Sequence, residues 1–215
     1  MVRYTPVSLS QALRVDNGRA FDFRTLSYRF DFSNELSANG ILLREDAAPE
    51  NAPAIIVLSD GGYKAAGDIV APHVDRGEQV LALDLFFNGD RLANRVPWEL
   101  LTDSSGDRPL GLEVAQLVAV ANWLRSTTGH PVAVETDGIR NQVVALTAAA
   151  IAPESFSGVA SRNAMKSLAY LIDTPVPFRS APELFCLDLY RYFDLDALAA
   201  MAAPGKVSTI SLVQK

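Results

Sequence analysis

The hydrophobic period of this chain changes part-way along, and the change decides what kind of sheet it can build. Residues 26–32 alternate: Leu26, Tyr28, Phe30 and Phe32 are separated by Ser27, Arg29 and Asp31. That is the mark of a half-buried strand. Residues 41–43, Ile-Leu-Leu, follow Asn39-Gly40 and predict an antiparallel partner at a sheet edge. After the Pro- and acid-containing loop 46–53, the apolar runs become continuous at residues 54–58, 80–83 and 132–134. Continuous runs suit strands covered on both faces.

Helical patterns separate these runs. Ile69, Val70 and Val74 predict a short helix closed by Gly77. Val114, Leu117, Val118, Ala121 and Leu124 form one stripe, with Glu113, Gln116, Asn122 and Arg125 off it. Residues 142–152 are apolar nearly all round and predict a central helix. Residues 156–160 read as a fourth strand and 207–213 as a last one. Residues 181–201 look helical, interrupted near Phe193-Asp194. Strands alternating with helices predict a three-layer α/β/α architecture, mostly parallel, with an antiparallel N-terminal flank. Residues 1–25 read as a lead-in segment with a weak helical stretch over 9–13, and 26–215 as a single domain. Residues 89–108 read as a long polar loop holding Trp98.

Composition narrows the function. The 215 residues carry 19 basic and 25 acidic side chains, a net charge of −6, which argues against a nucleic-acid partner. The N-terminus has no apolar signal-peptide core, and no apolar run approaches the roughly 20 residues of a membrane span. A soluble chain with no membrane partner is expected. One cysteine, Cys186, and two histidines, His73 and His130, rule out a Cys/His zinc cluster.

In parallel sheets, sites form at the carboxyl ends of the strands. Those ends carry Ser59, Asp60, Gly61, Gly62 and Tyr63, then Asp84, then Asp137, Ile139 and Arg140, then Ser161. The carboxylates Asp60, Asp84 and Asp137 invite a magnesium ion, but the acids are sparse for one. The favoured reading is structural: Asp60 in a turn, Asp84 orienting its loop, Asp137 capping the next helix. Arg140 at a helix start suits an anion, with a surface salt bridge as the favoured reading. Cys186, among apolar neighbours, reads as a buried inert thiol.

The order of elements from about residue 26 onward resembles the α/β-hydrolase fold. It is most similar to the acetyl-xylan-esterase-like branch of bacterial carbohydrate esterases. The resemblance rests on the strand and Gly-Gly turn 55–62, the stretch 77–84 (Gly-Glu-Gln-Val-Leu-Ala-Leu-Asp) and the helix 110–124. It continues in the strand, turn and helix of 132–153 and in the late helix 192–198 with Ala202-Ala203-Pro204. The family's nucleophile occupies Gly-x-Ser-x-Gly between a strand and a buried helix. Counting back from the helix puts Ile139 there, inside Asp137-Gly138-Ile139-Arg140-Asn141. A one-residue slip offers Gly138 or Arg140. No histidine follows His130, which sits at the amino end of a strand. His73 lies in the first crossover helix and reads as solvated or capping.

The resemblance therefore implies a degenerate, non-catalytic domain that binds a small carbohydrate or ester ligand or supports a catalytic neighbour, with no cofactor and no metal. The loop 86–108, with Phe86, Phe87 and Trp98, is the expected partner surface. An active ester hydrolase would have to use Ser59 or Ser161, with oxyanion donors from the rim Asp60, Gly61, Gly62, Tyr63 and Asp84 and from Arg140. A third reading is a Rossmann-type NAD(P)-binding dehydrogenase, from Gly61-Gly62 to Gly67 with Asp84 23 residues after Gly61. The Tyr-x-x-x-Lys pair of short-chain dehydrogenases is absent.

Overall fold

The computed structural model describes residues 1–20, 22–89, 98–186, 188–202 and 207–209. The strands are β1 (Leu9–Ala20), β2 (Phe23–Phe32), β3 (Ser37–Glu45), β4 (Ala54–Ser59), β5 (Gln79–Asp84), β6 (Val132–Asp137), β7 (Phe156–Arg162) and β8 (Val207–Thr209). They form one sheet in the order β1-β2-β3-β5-β4-β6-β7-β8. The first three are antiparallel to their neighbours, and β5, β4, β6, β7 and β8 are parallel. The architecture is the expected α/β sheet with an antiparallel flank.

The two faces bury different helices. Ile55, Val57, Val80 and Ala82 face Ile69, Val70 and Val74 of α1 (Gly67–Val74). The larger core, including Ile56, Leu58, Leu81, Val134 and Val159, packs against α3 (Pro109–Thr128) and α4 (Ile139–Ile151). Proline at the first turn starts α3, and Gly129 (φ 79°) ends it in the left-handed conformation. On the antiparallel flank, Phe30 is fully buried and meets Trp123 of α3 edge-on, with ring centroids 5.1 Å apart. Burying such a ring is worth roughly 1.5–3 kcal/mol. Among the described residues no helix is long and apolar enough to cross a membrane.

The chain departs from the sequence expectation in four places. The first is β1, which pairs with β2 along its length, so part of the lead-in segment is the edge strand of the same sheet rather than a helical stretch. Register shifts at Leu9/Gln11 and Arg14/Asp16 break its alternation. Bulges on a solvent-facing edge remove the period-2 signal, and Val15 is left 64% exposed.

The second is α2 (Trp98–Ser105), which interrupts the expected polar loop. The Trp98 side chain lies outside the described residues. The third is the late helical region, which is broken into a 3-10 turn at Pro182–Phe185, α6 (Leu189–Tyr192) and α7 (Leu195–Met201). Asp188 at φ 62° and Asp194, which caps α7, account for the breaks. A further short helix, α5 (Tyr170–Asp173), precedes them. The fourth is α3, where Glu113 and Gln116 are fully buried although they lie off the apolar stripe. The end of the last predicted strand, residues 210–213, lies outside the described residues.

Candidate functional site

The carboxyl ends of β4, β5, β6 and β7 converge on one rim, and its polar groups are spent on one another. After β4, the Gly61 N–H donates to the Ser59 hydroxyl (3.2 Å) and the Gly62 N–H to the Ser59 carbonyl (2.8 Å). The Tyr63 N–H donates to Asp84 Oδ1 (2.7 Å). Gly62 turns at φ 79°, where a Cβ would lie 2.8 Å from the Gly89 Cα and 3.3 Å from the Asp84 carboxylate. Asp84 therefore does orient the loops around it, as expected. A ribose-binding role would need that carboxylate free. The sheet order also differs from the 3-2-1-4-5-6 of a dinucleotide fold, and the dehydrogenase reading is not favoured.

Asp60 sits in the expected turn and also takes the capping role expected of Asp137. Asp60, from β4, caps α4: its carboxylate accepts from the Arg140 N–H (3.1 Å), the Asn141 N–H (3.0 Å) and the Asn141 side chain (2.9 Å). Asp137 instead accepts from Asn163 (2.6 Å). Capping across strands leaves no local spacing to read, which is why the sequence pointed to the adjacent residue. Burial pushes the Asp60 carboxyl above its usual range, and the helix N–H bonds pull part of that back.

Between β6 and α4 the chain turns at Gly138, at φ 107° and ψ 164°. Ile139 is the first helical residue and packs half-buried against the core. Neither it nor Gly138 carries a nucleophile. A Cβ on Gly138 would stand 2.3 Å from the Asp60 carboxyl carbon, so the turn excludes any side chain there. In a working elbow the N–H after the nucleophile serves the oxyanion. Here the N–H groups of Gly61, Gly62, Tyr63, Arg140 and Asn141 already donate inside the protein, which corrects the expected oxyanion rim.

Arg140 points inward rather than to the surface. Its Nε donates to Glu183 and its Nη2 to the Phe87 carbonyl (2.9 Å), and it is 8% exposed. Burial pulls its pKa down, but Glu183, Glu113 and Asp60 outweigh that and hold it up. Glu183 is raised by burial despite its bond to Arg140. Glu113 is raised well above the usual carboxyl range, by burial first and the Glu183 charge second.

Glu113 Oε1 accepts from the Phe87 N–H (3.3 Å), and Gln116 Oε1 accepts from the Phe86 N–H (2.9 Å). Asn88 donates to Asn141 (2.9 Å). The segment after β5 is thus pinned from α3 and α4. Phe87 is buried, so it belongs to the core and not to an exposed partner surface. Sequence reading missed Glu113, Gln116 and Glu183. The available signal was two polar residues three apart on an otherwise buried helix.

Ser59 and Ser161 are both buried, and Ser161 accepts a hydrogen bond from Thr136 (3.0 Å). Ser161 lines a cavity of about 230 Å³ with Gln142, Met165, Lys166, Asp196 and Thr209. The histidines lie elsewhere. His73 is buried, not solvated or capping: its ring nitrogens face Glu78 (2.5 Å) and Glu135 (2.8 Å), and Glu135 also pairs with Arg162. His130 is exposed at the amino end of β6. Cys186 is buried, and burial raises its thiol. Among the described residues no cluster of His, Cys, Asp and Glu could hold a metal.

No family model and no curated protein matches the sequence. Solved structures do match in shape. A Bacteroides fragilis protein described as a "putative acetyl xylan esterase" superposes with a TM-score of 0.76 at 13% identity, over 98% of this chain and 64% of its own. The glucuronoyl esterase of Solibacter usitatus gives 0.64 at 13% identity, over 97% of this chain and 68% of its own. Acetyl xylan esterase 1 of a Thermoanaerobacterium species gives 0.61 at 13% identity, over 89% and 65%. The chain has the α/β-hydrolase fold. It spans just under two thirds of the length of two of these three structures. The β6–α4 turn is the strand-to-helix turn where the sequence pattern places an elbow, and Gly138 holds its positive φ.

Proposed function

We propose that this chain is a non-catalytic α/β-hydrolase-fold domain that acts by binding, either holding a small carbohydrate or ester ligand or supporting a catalytic neighbour. One observation carries the reading. The Asp60 carboxylate takes the Arg140 and Asn141 N–H groups and stands where any side chain on Gly138 would go. A resident anion fills the place that an acyl-transfer site keeps for the oxyanion. Both histidines are committed away from that place, so a serine there would lack a base.

The test is hydrolysis of a small activated acetyl ester by the wild type, Ser59→Ala, Ser161→Ala and Ile139→Ser. All four should be equally weak. Even a triad lacking one member keeps roughly 10³–10⁴-fold over water, so a faint residual rate is consistent with the proposal. Robust wild-type turnover that one serine-to-alanine change abolishes overturns it. Ser161 is the residue to watch, because it lines a cavity together with Lys166.

A further inference from the structure

The opposite edge of the sheet holds an unassigned pocket. On the α3-facing side of the antiparallel flank, Arg24 of β2 sits directly across from Arg19 of β1 and Arg44 of β3. Arg14 lies across from Tyr28. Like charges placed opposite one another destabilise a sheet. Asp46 relieves part of this row by pairing with Arg19 and Arg24. Among the described residues Arg44 has no ion pair, and its Nε is buried with no hydrogen-bond partner.

Arg14, Arg24 and Arg44 line a cavity of about 200 Å³ whose aromatic wall is Tyr28 and Trp123, 5.3 Å apart edge to face. Glu50 is the acid on its lining. Asp46 is shared between Arg19 and Arg24, so with Glu50 as the acid on the lining the arginine row keeps an excess of positive charge.

The arginines are not there to close α3. Of the last-turn carbonyls, that of Arg125 takes the Gly129 N–H, and among the described residues no hydrogen bond runs from Arg14, Arg24 or Arg44 to α3. The site is also remote from the carboxyl rim. Leu43, next to Arg44, pairs with Val80 near the start of β5, four residues or about 13 Å of strand from Asp84.

We propose that this pocket binds a small monocarboxylate bearing one ring, its carboxylate on Arg44 and Arg14 and its flat face on Tyr28 and Trp123. A guanidinium matches a carboxylate in bidentate geometry, and an excess of positive charge suits an anion. The volume is below the roughly 300–1,000 Å³ of drug-sized sites and suits one ring with its acid group. Aryl carboxylates and hexuronates share this chemistry. The inference does not depend on the reading of the elbow, since ester turnover does not report on this edge.

The test is calorimetric titration of the full chain with benzoate and with glucuronate. Acetate serves as the ringless acid, and benzyl alcohol and glucose as the uncharged rings. At least one ring acid should saturate with a Kd on the order of 1 mM or tighter, ahead of acetate and of its neutral counterpart. Which acid binds tighter identifies the aryl or the sugar source.

Arg44→Gln should weaken binding about tenfold, the scale of a lost charge-assisted bond. Arg14→Gln, at an exposed position on the edge strand, should weaken it in the same direction. Arg29→Gln, on the other face of β2 and bonded to Asp31 (2.8 Å), should leave it unchanged. The Trp123 indole N–H resonance should shift on binding. The proposal is overturned if neither ring acid saturates at several millimolar, if acetate binds as well as they do, or if both arginine variants bind like the wild type.

Discussion

Replacing Arg140 with methionine tests whether the buried cluster under the elbow is arranged as described. The change removes the guanidinium but keeps most of the side chain's length. Glu183, 1% exposed, loses the cation that its Oε1 accepts from, and its Oε2 already has no partner. Breaking one side of a buried ion pair costs about 3–5 kcal/mol. The Phe87 carbonyl loses its 2.9 Å donor as well, at about 1 kcal/mol or more. A loss of about 5 kcal/mol near neutral pH is therefore expected, a large share of the ~5–15 kcal/mol stability of a domain.

The loss should depend on pH. Burial already holds Glu183 above the ordinary glutamate value of 4.5, and without Arg140 it rises further. A carboxyl whose folded pKa is raised contributes its stability below the unfolded value and loses it as pH climbs through the folded one. The variant should thus lie closest to wild type near pH 4 and fall away toward neutrality. Urea unfolding followed by far-UV circular dichroism at several pH values measures this. Arg140→Met combined with Glu183→Leu should recover most of the loss, because an apolar pair can replace a buried ion pair at little cost. A single variant that loses under about 1 kcal/mol at neutral pH, or a loss independent of pH, would refute the reasoning.

Glu113→Gln should stabilise the protein at neutral pH and flatten its decline above pH 4.5, because burial and Glu183 hold the Glu113 carboxyl well above the ordinary glutamate value of 4.5; the same unfolding series reads it. Gly138→Ala should destabilise by about 2 kcal/mol or more, through its φ of 107° and the 2.3 Å approach to Asp60. Thermal unfolding will show this, and amide exchange at Arg140 and Asn141 should rise as the Asp60 cap is displaced. Asp194→Ala should cost about 1 kcal/mol, the usual worth of an N-cap; Asp194 accepts from Leu195 (2.7 Å) and Leu168 (2.8 Å), and its bonds to Ser167, Leu168 and Leu195 outweigh burial and lower its pKa. That contribution should be present at neutral pH and fade in the wild type as pH drops below the ordinary aspartate value of 3.8, so the two proteins converge in acid.

By itself, the sequence determined the layer pattern of this protein. Continuous apolar runs flanked by helical stripes suit strands buried on both faces, and β4, β5 and β6 follow them. It also determined that the stretch between β6 and α4 carries Gly138, Ile139 and Arg140, none of them a serine, threonine or cysteine. β1 escaped because an edge strand with bulges obeys no strict alternation. Tertiary structure alone decided which carboxylate meets which donor. Asp60 reaches α4 across 80 residues, Arg140 meets Glu183 across 43, and His73 meets Glu135 across 62. No local spacing encodes such pairs. A buried polar group takes whatever partner the packed elements bring within reach, and that choice is made only when the sheet closes around it.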